Sequence, residues 1–178
     1  MKLKIKIKRL DNTVQLPSII DKGEWVDLRS AESIKFKAPQ AGVLRKHIIE
    51  GKEVSSRDVT FDTRAIKLGV AMKLPKGFEA IIVPRSSLPK LGVFQTNSIG
   101  VVDNSYSGNQ DEWKYWITAL ENTIINKGDR ICQFRIQLSQ KATIWQKIKW
   151  VLSSGIKIVE VADLSENNRG GIGSTGIK

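Results

Sequence analysis

A chain of 178 residues with 40% hydrophobic content carries enough apolar material for one domain with a substantial core, which excludes wholesale disorder. Lys and Arg outnumber Asp and Glu by 29 to 18, a surplus that raises nucleic acid as a ligand, yet no zinc-finger, helix-turn-helix or aromatic RNA-binding pattern accompanies it. One Cys and one His exclude an intrachain disulfide and a zinc-deaminase ligand set, and no apolar run approaches the ~18 residues of a membrane span or forms a signal-peptide core, so a soluble, cytoplasmic protein is expected.

The chain opens on MKLKIKIKRL, where Lys2, Lys4, Lys6 and Lys8 alternate with Leu3, Ile5 and Ile7. That is the period of a half-buried strand over 2–9, and it puts the densest basic cluster on a solvated face. Short Val-, Ile- and Phe-rich runs between Gly, Pro, Asn and Asp predict further strands at 24–29, 33–38, 66–72, 78–84, 93–96, 99–102, 114–120, 130–138 and 156–161. So many short strands imply an all-β sandwich or barrel. SSLPKL at 86–91 predicts one short helical turn. In ATIWQKIKWVL, 142–152, the residues Ile144, Trp145, Ile148, Val151 and Leu152 have helical spacing, although Ile144, Ile148, Trp150 and Leu152 also alternate; a helix is expected. From Ser165 the chain turns polar and glycine-rich, which divides it into a β domain over 1–164 and a flexible tail over 165–178.

Three interior segments and the C-terminal run carry chemistry. PRSSL at 84–88 exposes an Arg and two hydroxyls just after a strand, a set suited to phosphate oxygens. In QTNSIGVVDNSYSGN the turn DNSYSG lies between 95–102 and a strand from near Lys114, which predicts a β-hairpin with Asp103 and Tyr106 near its tip. A carboxylate in a cleft can orient and deprotonate water, and a Tyr ring offers a flat face to a sugar or base; equally, Asp103 can cap the turn and Tyr106 can pack on the core. GDRICQFRI, 128–136, places Cys132 as a buried strand residue and one amide, Gln133, in an apolar stretch, where it serves either as a structural tie or as a ligand. Finally, RGGIGSTGIK at the C-terminus lets backbone amides approach an anion while its Arg forks onto the oxygens; the competing reading is a floppy polar end.

In order, WVDLRSA at 25–31, PRSSL, GVVDNSYSG at 100–108, GDRICQ at 128–133 and RGGIGSTG at 169–176 resemble the five motifs of the trimeric dUTPase family, in the wording of Gram-positive bacteria and their phages. The resemblance spans about 1–138 and 158–178, with two stretches that do not align, roughly 40–64 and 141–157. It implies a dUTPase-like, jelly-roll-like β fold, a homotrimer, and hydrolysis of dUTP to dUMP and pyrophosphate by water attacking the α-phosphate. Asp103 is then the general base. Asn97, Gly100 and Val101 line the uracil slot, and Tyr106 stacks under the deoxyribose against a 2′-hydroxyl. Ser86, Ser87 and Gln133 hold the phosphates, with Arg85 paired to Asp27 to fix the geometry between subunits. Arg169, Gly173, Ser174 and Thr175 close as a lid, with Ile172 where the family places an aromatic ring over the base. Mg²⁺ is implied as a ligand of the triphosphate. The rival functions are a dUTPase-fold regulatory protein with a host or phage partner, and a dCTP deaminase relative. Neither a membrane nor a nucleic acid is an expected partner.

Overall fold

The computed structural model describes residues 1–19 and 23–170. Leu3–Arg9 buries Leu3, Ile5 and Ile7 and leaves its lysines on the opposite face, as the alternation requires. It lies between Val70–Lys73, antiparallel, and Ile156–Glu160, parallel. A second three-stranded sheet has the order Val93–Gln95, Lys114–Ala119, Thr63–Lys67. The largest sheet has five antiparallel strands in the order Gly100–Val102, Phe78–Pro84, Arg130–Leu138, Val26–Arg29, Ser18–Ile19. Ile34–Phe36 pairs with Thr123–Ile125. Apolar faces of these sheets meet around Phe78, Trp113, Tyr115 and Phe134, with Trp113 edge-on to Phe134 at 5.2 Å between centroids. The architecture is all-β.

Three expectations need correction. The predicted strand 66–72 breaks at Leu68–Gly69, because Gly69 takes a φ of +67° and its neighbours on either side join different sheets. A side chain there would also fail sterically, since a Cβ would lie 2.9 Å from that of Ala31. Nor does DNSYSG close a hairpin. Gly100–Val102 pairs with Phe78–Pro84, whereas Lys114–Ala119 pairs with Val93–Gln95 and Thr63–Lys67, so the turn links two sheets. The third concerns 40–64, which had no predicted element: Gln40–Ile49 and Lys52–Thr60 form a long antiparallel arm that, among the described residues, pairs only with itself. Every residue of its two strands is exposed, so no burial period marks them in the sequence. Glu50 and Gly51 both have positive φ, as a two-residue hairpin turn of this hand demands, but Glu-Gly lacks the Asn-Gly or Asp-Gly signature.

The other unaligned stretch contains the helix Ile144–Val151, begun by a capping box in which the Thr143 side chain accepts from Gln146 N and the Gln146 side chain accepts from Thr143 N. Its apolar stripe of Ile144, Trp145, Ile148 and Val151 faces outward, with Trp145 76% exposed. Trp150 lays its ring against Phe78, 5.3 Å between centroids, and Gln146 lies over Gly77. The short turn after PRSS is a 3₁₀ helix, Leu88–Leu91.

Candidate active site

The five-stranded sheet sorts the candidate residues along its length. At one end, Phe78–Pro84 delivers Arg85, Ser86 and Ser87, while Arg130–Leu138 places Gln133 beside Val83 on one side and Asp27 on the other. Asp27 is 6% exposed, and each of its two oxygens faces a guanidinium: Arg85 Nε forms an ion pair with Oδ1 at 2.9 Å, and Arg130 Nη1 donates to Oδ2 at 3.1 Å. The Asp27–Arg85 pair forms within this chain. Gln133 Nε2 donates to the Pro84 carbonyl at 3.3 Å. Ser86 and Ser87 are exposed, and the Ser87 hydroxyl caps nothing at the 3₁₀ turn. This end is a set of fixed cations and free hydroxyls, the chemistry that grips phosphate.

Asp103 lies at the opposite end. Val102 pairs with Ala80, so Asp103 falls level with Glu79, six residues short of Arg85. At ~3.3 Å per residue this puts the carboxylate and the Arg85–Ser87 cluster on the order of 20 Å apart. Asn97 lies before Gly100–Val102, nearer the Arg85 end, and Ser98 holds a positive φ of 61° between them. Gly100–Val102 is an edge strand among the described residues, so one side of its backbone has no strand partner there, and Val101 is exposed. A Cβ at Gly100 would come within 3.3 Å of Ile82 Cβ.

Asp103 accepts from Tyr106 N through its carbonyl at 3.0 Å and projects a carboxylate that is 55% exposed. Tyr106 packs its half-buried ring against the core and donates its hydroxyl to the Glu112 carbonyl at 2.9 Å. Burial first, then the charges of Asp111 and Glu112, push that hydroxyl above its usual pKa and keep it a donor. The tail begins here as well: Arg169 Nη1 donates to Asp103 Oδ2 at 2.7 Å, although the sequence reading assigned Arg169 to the phosphates. Ile172, Gly173, Ser174 and Thr175 lie outside the described residues.

Several supporting residues escaped the sequence reading. Gln95 is buried, accepts from the Tyr115 hydroxyl at 3.1 Å and donates to Asn97 Oδ1 at 3.1 Å, which fixes the amide of Asn97. Asn104 Nδ2 donates to the carbonyls of Pro75 and Phe78 at 2.8 and 3.0 Å and bolts the Asp103 turn to the sheet. Their one signal is polar identity at strand or turn positions, which names no partner. Arg130 and Asp111, which is buried, were likewise missed. A cleft of about 300 Å³ at the root of the arm is lined by Lys37, Phe61, Asp62 and Arg64 among others, and by none of the candidate site residues. Among the described residues no helix is long and apolar enough to cross a membrane.

The dUTPase family model matches residues 54–176. The SPbeta prophage-derived deoxyuridine 5'-triphosphate nucleotidohydrolase of Bacillus subtilis is 40% identical over 177 residues, which cover 99% of this chain and all of that protein. A deoxyuridine 5'-triphosphate nucleotidohydrolase of Hydrogenobaculum is 37% identical over 66% of this chain and 74% of its own length. The fold is similar to that of the dUTPase from Streptococcus mutans, with a TM-score of 0.57, 17% identity and coverage of 78% of this chain and 98% of that one. A mutant dUTPase of Staphylococcus aureus phage phi11, whose structure details the coordination of a structural Mg(II) ion, aligns with a TM-score of 0.58, 15% identity and coverage of 79% and 94%. With a family model spanning most of the chain and a relative matched end to end, this protein belongs to the dUTPase family.

Proposed function

We propose that the protein hydrolyses dUTP to dUMP and pyrophosphate at sites shared between the chains of a homotrimer. The observation that carries this reading is the separation along the five-stranded sheet. One end offers the phosphate-gripping set of Arg85, Ser86, Ser87 and Gln133, the other offers Asp103, and the register holds them too far apart to meet on one triphosphate. A cyclic assembly brings unlike ends of different chains together and makes complete sites.

In such a site Asp103 accepts a proton from water as the water oxygen attacks the α-phosphorus. The bond from that phosphorus to the bridging oxygen breaks, and its electron pair leaves with pyrophosphate. Ser86, Ser87 and Gln133 donate to the phosphate oxygens, while Asp27 and Arg130 hold Arg85 in register. The free backbone edge of Gly100 and Val101, with Asn97, matches uracil's donors and acceptors. Cytosine there would leave buried groups unpaired at ~1–3 kcal/mol each. Tyr106, fixed by Glu112, presents its ring to the deoxyribose and leaves no room for a 2′-hydroxyl. Mg²⁺ fits as a companion of the triphosphate, whose charge it would screen; among the described residues no three His, Cys, Asp or Glu side chains gather to hold a metal themselves.

A pyrophosphate-release assay across dUTP, dTTP, dCTP and UTP tests the reading. Turnover confined to dUTP supports it. Ammonia released from dCTP would mark a deaminase instead, and tight dUTP binding with no turnover would favour a regulatory protein.

A further inference from the structure

The helix Ile144–Val151 is inverted relative to the surface helices of globular proteins, which turn their apolar stripe to the core. At ~100° per residue, Ile144, Trp145, Ile148, Val151 and Leu152 share an arc of about 120°. All five are exposed, from 41% at Ile148 to 80% at Val151. The opposite side is the seated one, held by Trp150 on Phe78 and Gln146 over Gly77. Lys147 and Lys149, both exposed, stand at the two borders of the apolar arc, and Lys141 precedes the helix. From residue 130 to 159 the sequence holds no Asp or Glu. Large apolar side chains grouped in this way stay wet only at a cost in free energy, so the face is suited to being covered.

We infer that this face docks on an anionic lipid surface. Charge selects the occupant. If two copies paired through it, the lysines of one helix would meet those of the other with no carboxylate on either to receive them, whereas lipid phosphates supply negative charge along both borders. The apolar arc settles ~5–10 Å into the boundary between headgroups and acyl chains, with Trp145 at the level that suits an indole. The alkyl stems of Lys147 and Lys149 lie along the apolar surface and lift their ammonium groups to the phosphates. The capping box keeps the helix formed before contact, so docking does not have to fold it first. With eight residues, ~12 Å, the helix cannot cross a bilayer. The lack of a spanning run, on which the sequence reading set a membrane aside, does not bear on a helix lying in the membrane plane. Docking goes beyond dUTP hydrolysis and does not depend on it.

Co-sedimentation of the full chain with vesicles tests the inference, using phosphatidylglycerol mixed into phosphatidylcholine against phosphatidylcholine alone. The parent is expected to sediment with the anionic vesicles only and to be released as salt rises. Trp145→Ser combined with Val151→Ser is expected to weaken binding about tenfold or more, because the contact loses apolar area. Lys147→Glu with Lys149→Glu is expected to abolish it. Lys35→Glu with Lys52→Glu, the same charge change at exposed positions off the helix, is expected to weaken it less than about threefold. Circular dichroism and the melting temperature check that each variant keeps the fold; should the Ser pair not fold, the contrast between the two Glu pairs decides. A parent that ignores anionic vesicles overturns the inference. So does undiminished binding by the Ser pair, which would mean that net charge alone holds a basic protein there, and so does equal weakening by the two Glu pairs. A light-scattering mass for the parent twice that of the Ser pair would give the face to a second copy and overturn it as well.

Discussion

At the residue scale, Asp103 and Asp27 are both carboxylates beside guanidinium groups, and burial separates their roles. Asp103 is more than half exposed and has one arginine on one oxygen; Asp27 is buried and has both oxygens engaged. Asp103→Asn is expected to leave the fold and dUTP affinity nearly intact and to lower turnover by at least ~10²-fold, the scale of a lost base, as single-turnover kinetics would show. Asp27→Ala is expected to act differently: it leaves Arg85 and Arg130 side by side without an acceptor, which costs about 1–3 kcal/mol in urea unfolding because charged hydrogen bonds are lost. The sequence proposes the first role through the motif GVVDNSYSG. It could not make the second fully legible, since Arg130 joins Asp27 only through the register of two strands about a hundred residues apart in sequence. Cys132 was readable from its neighbours: it is buried, and burial raises its thiol pKa well above the ordinary value, which makes it a poor nucleophile.

At the element scale, legibility follows burial. Strands such as Leu3–Arg9 and Arg130–Leu138 put one face in the core, and their alternation or apolar content shows it. The arm Gln40–Thr60 buries neither face, so its strands leave no periodic trace, and the turn at DNSYSG was misread because local punctuation does not say which strand will be the partner. Because the arm pairs only with itself, replacing 41–59 by a short turn is expected to leave the melting temperature within a few degrees of the parent by calorimetry. The helix Ile144–Val151 is different: without buried residues it relies on its capping box and on Trp150 against Phe78. Thr143→Ala is expected to cost about 1 kcal/mol, visible as a small loss of helical circular dichroism with little change in the sheets.

At the scale of the whole molecule, a homotrimer is expected by light scattering at micromolar concentration, and a mass of one or two chains in an active sample would refute it. Sharper still is complementation. If each site takes Asp103 from one chain and Arg85 from another, then Asp103→Asn and Arg85→Ala chains, each nearly inert, regain about a quarter of parental activity when co-assembled at equal amounts, the random frequency of sites with both residues intact. No recovery in verified mixed trimers would mean that one chain completes its own site. The five ordered motifs name candidate parts of such a site, but a sequence does not reveal that the sheet holds two of those parts at opposite ends.

That separation reaches beyond geometry. If the sites are shared as proposed, a lone chain with its two half-sites on the order of 20 Å apart would be catalytically silent, and activity per chain would depend on concentration. As the protein is diluted through its dissociation range, total rate would fall more steeply than protein content, and newly made chains would contribute nothing until they found companions. Sharing the site would thereby act as a threshold on chain abundance, set by the strength of the subunit contacts.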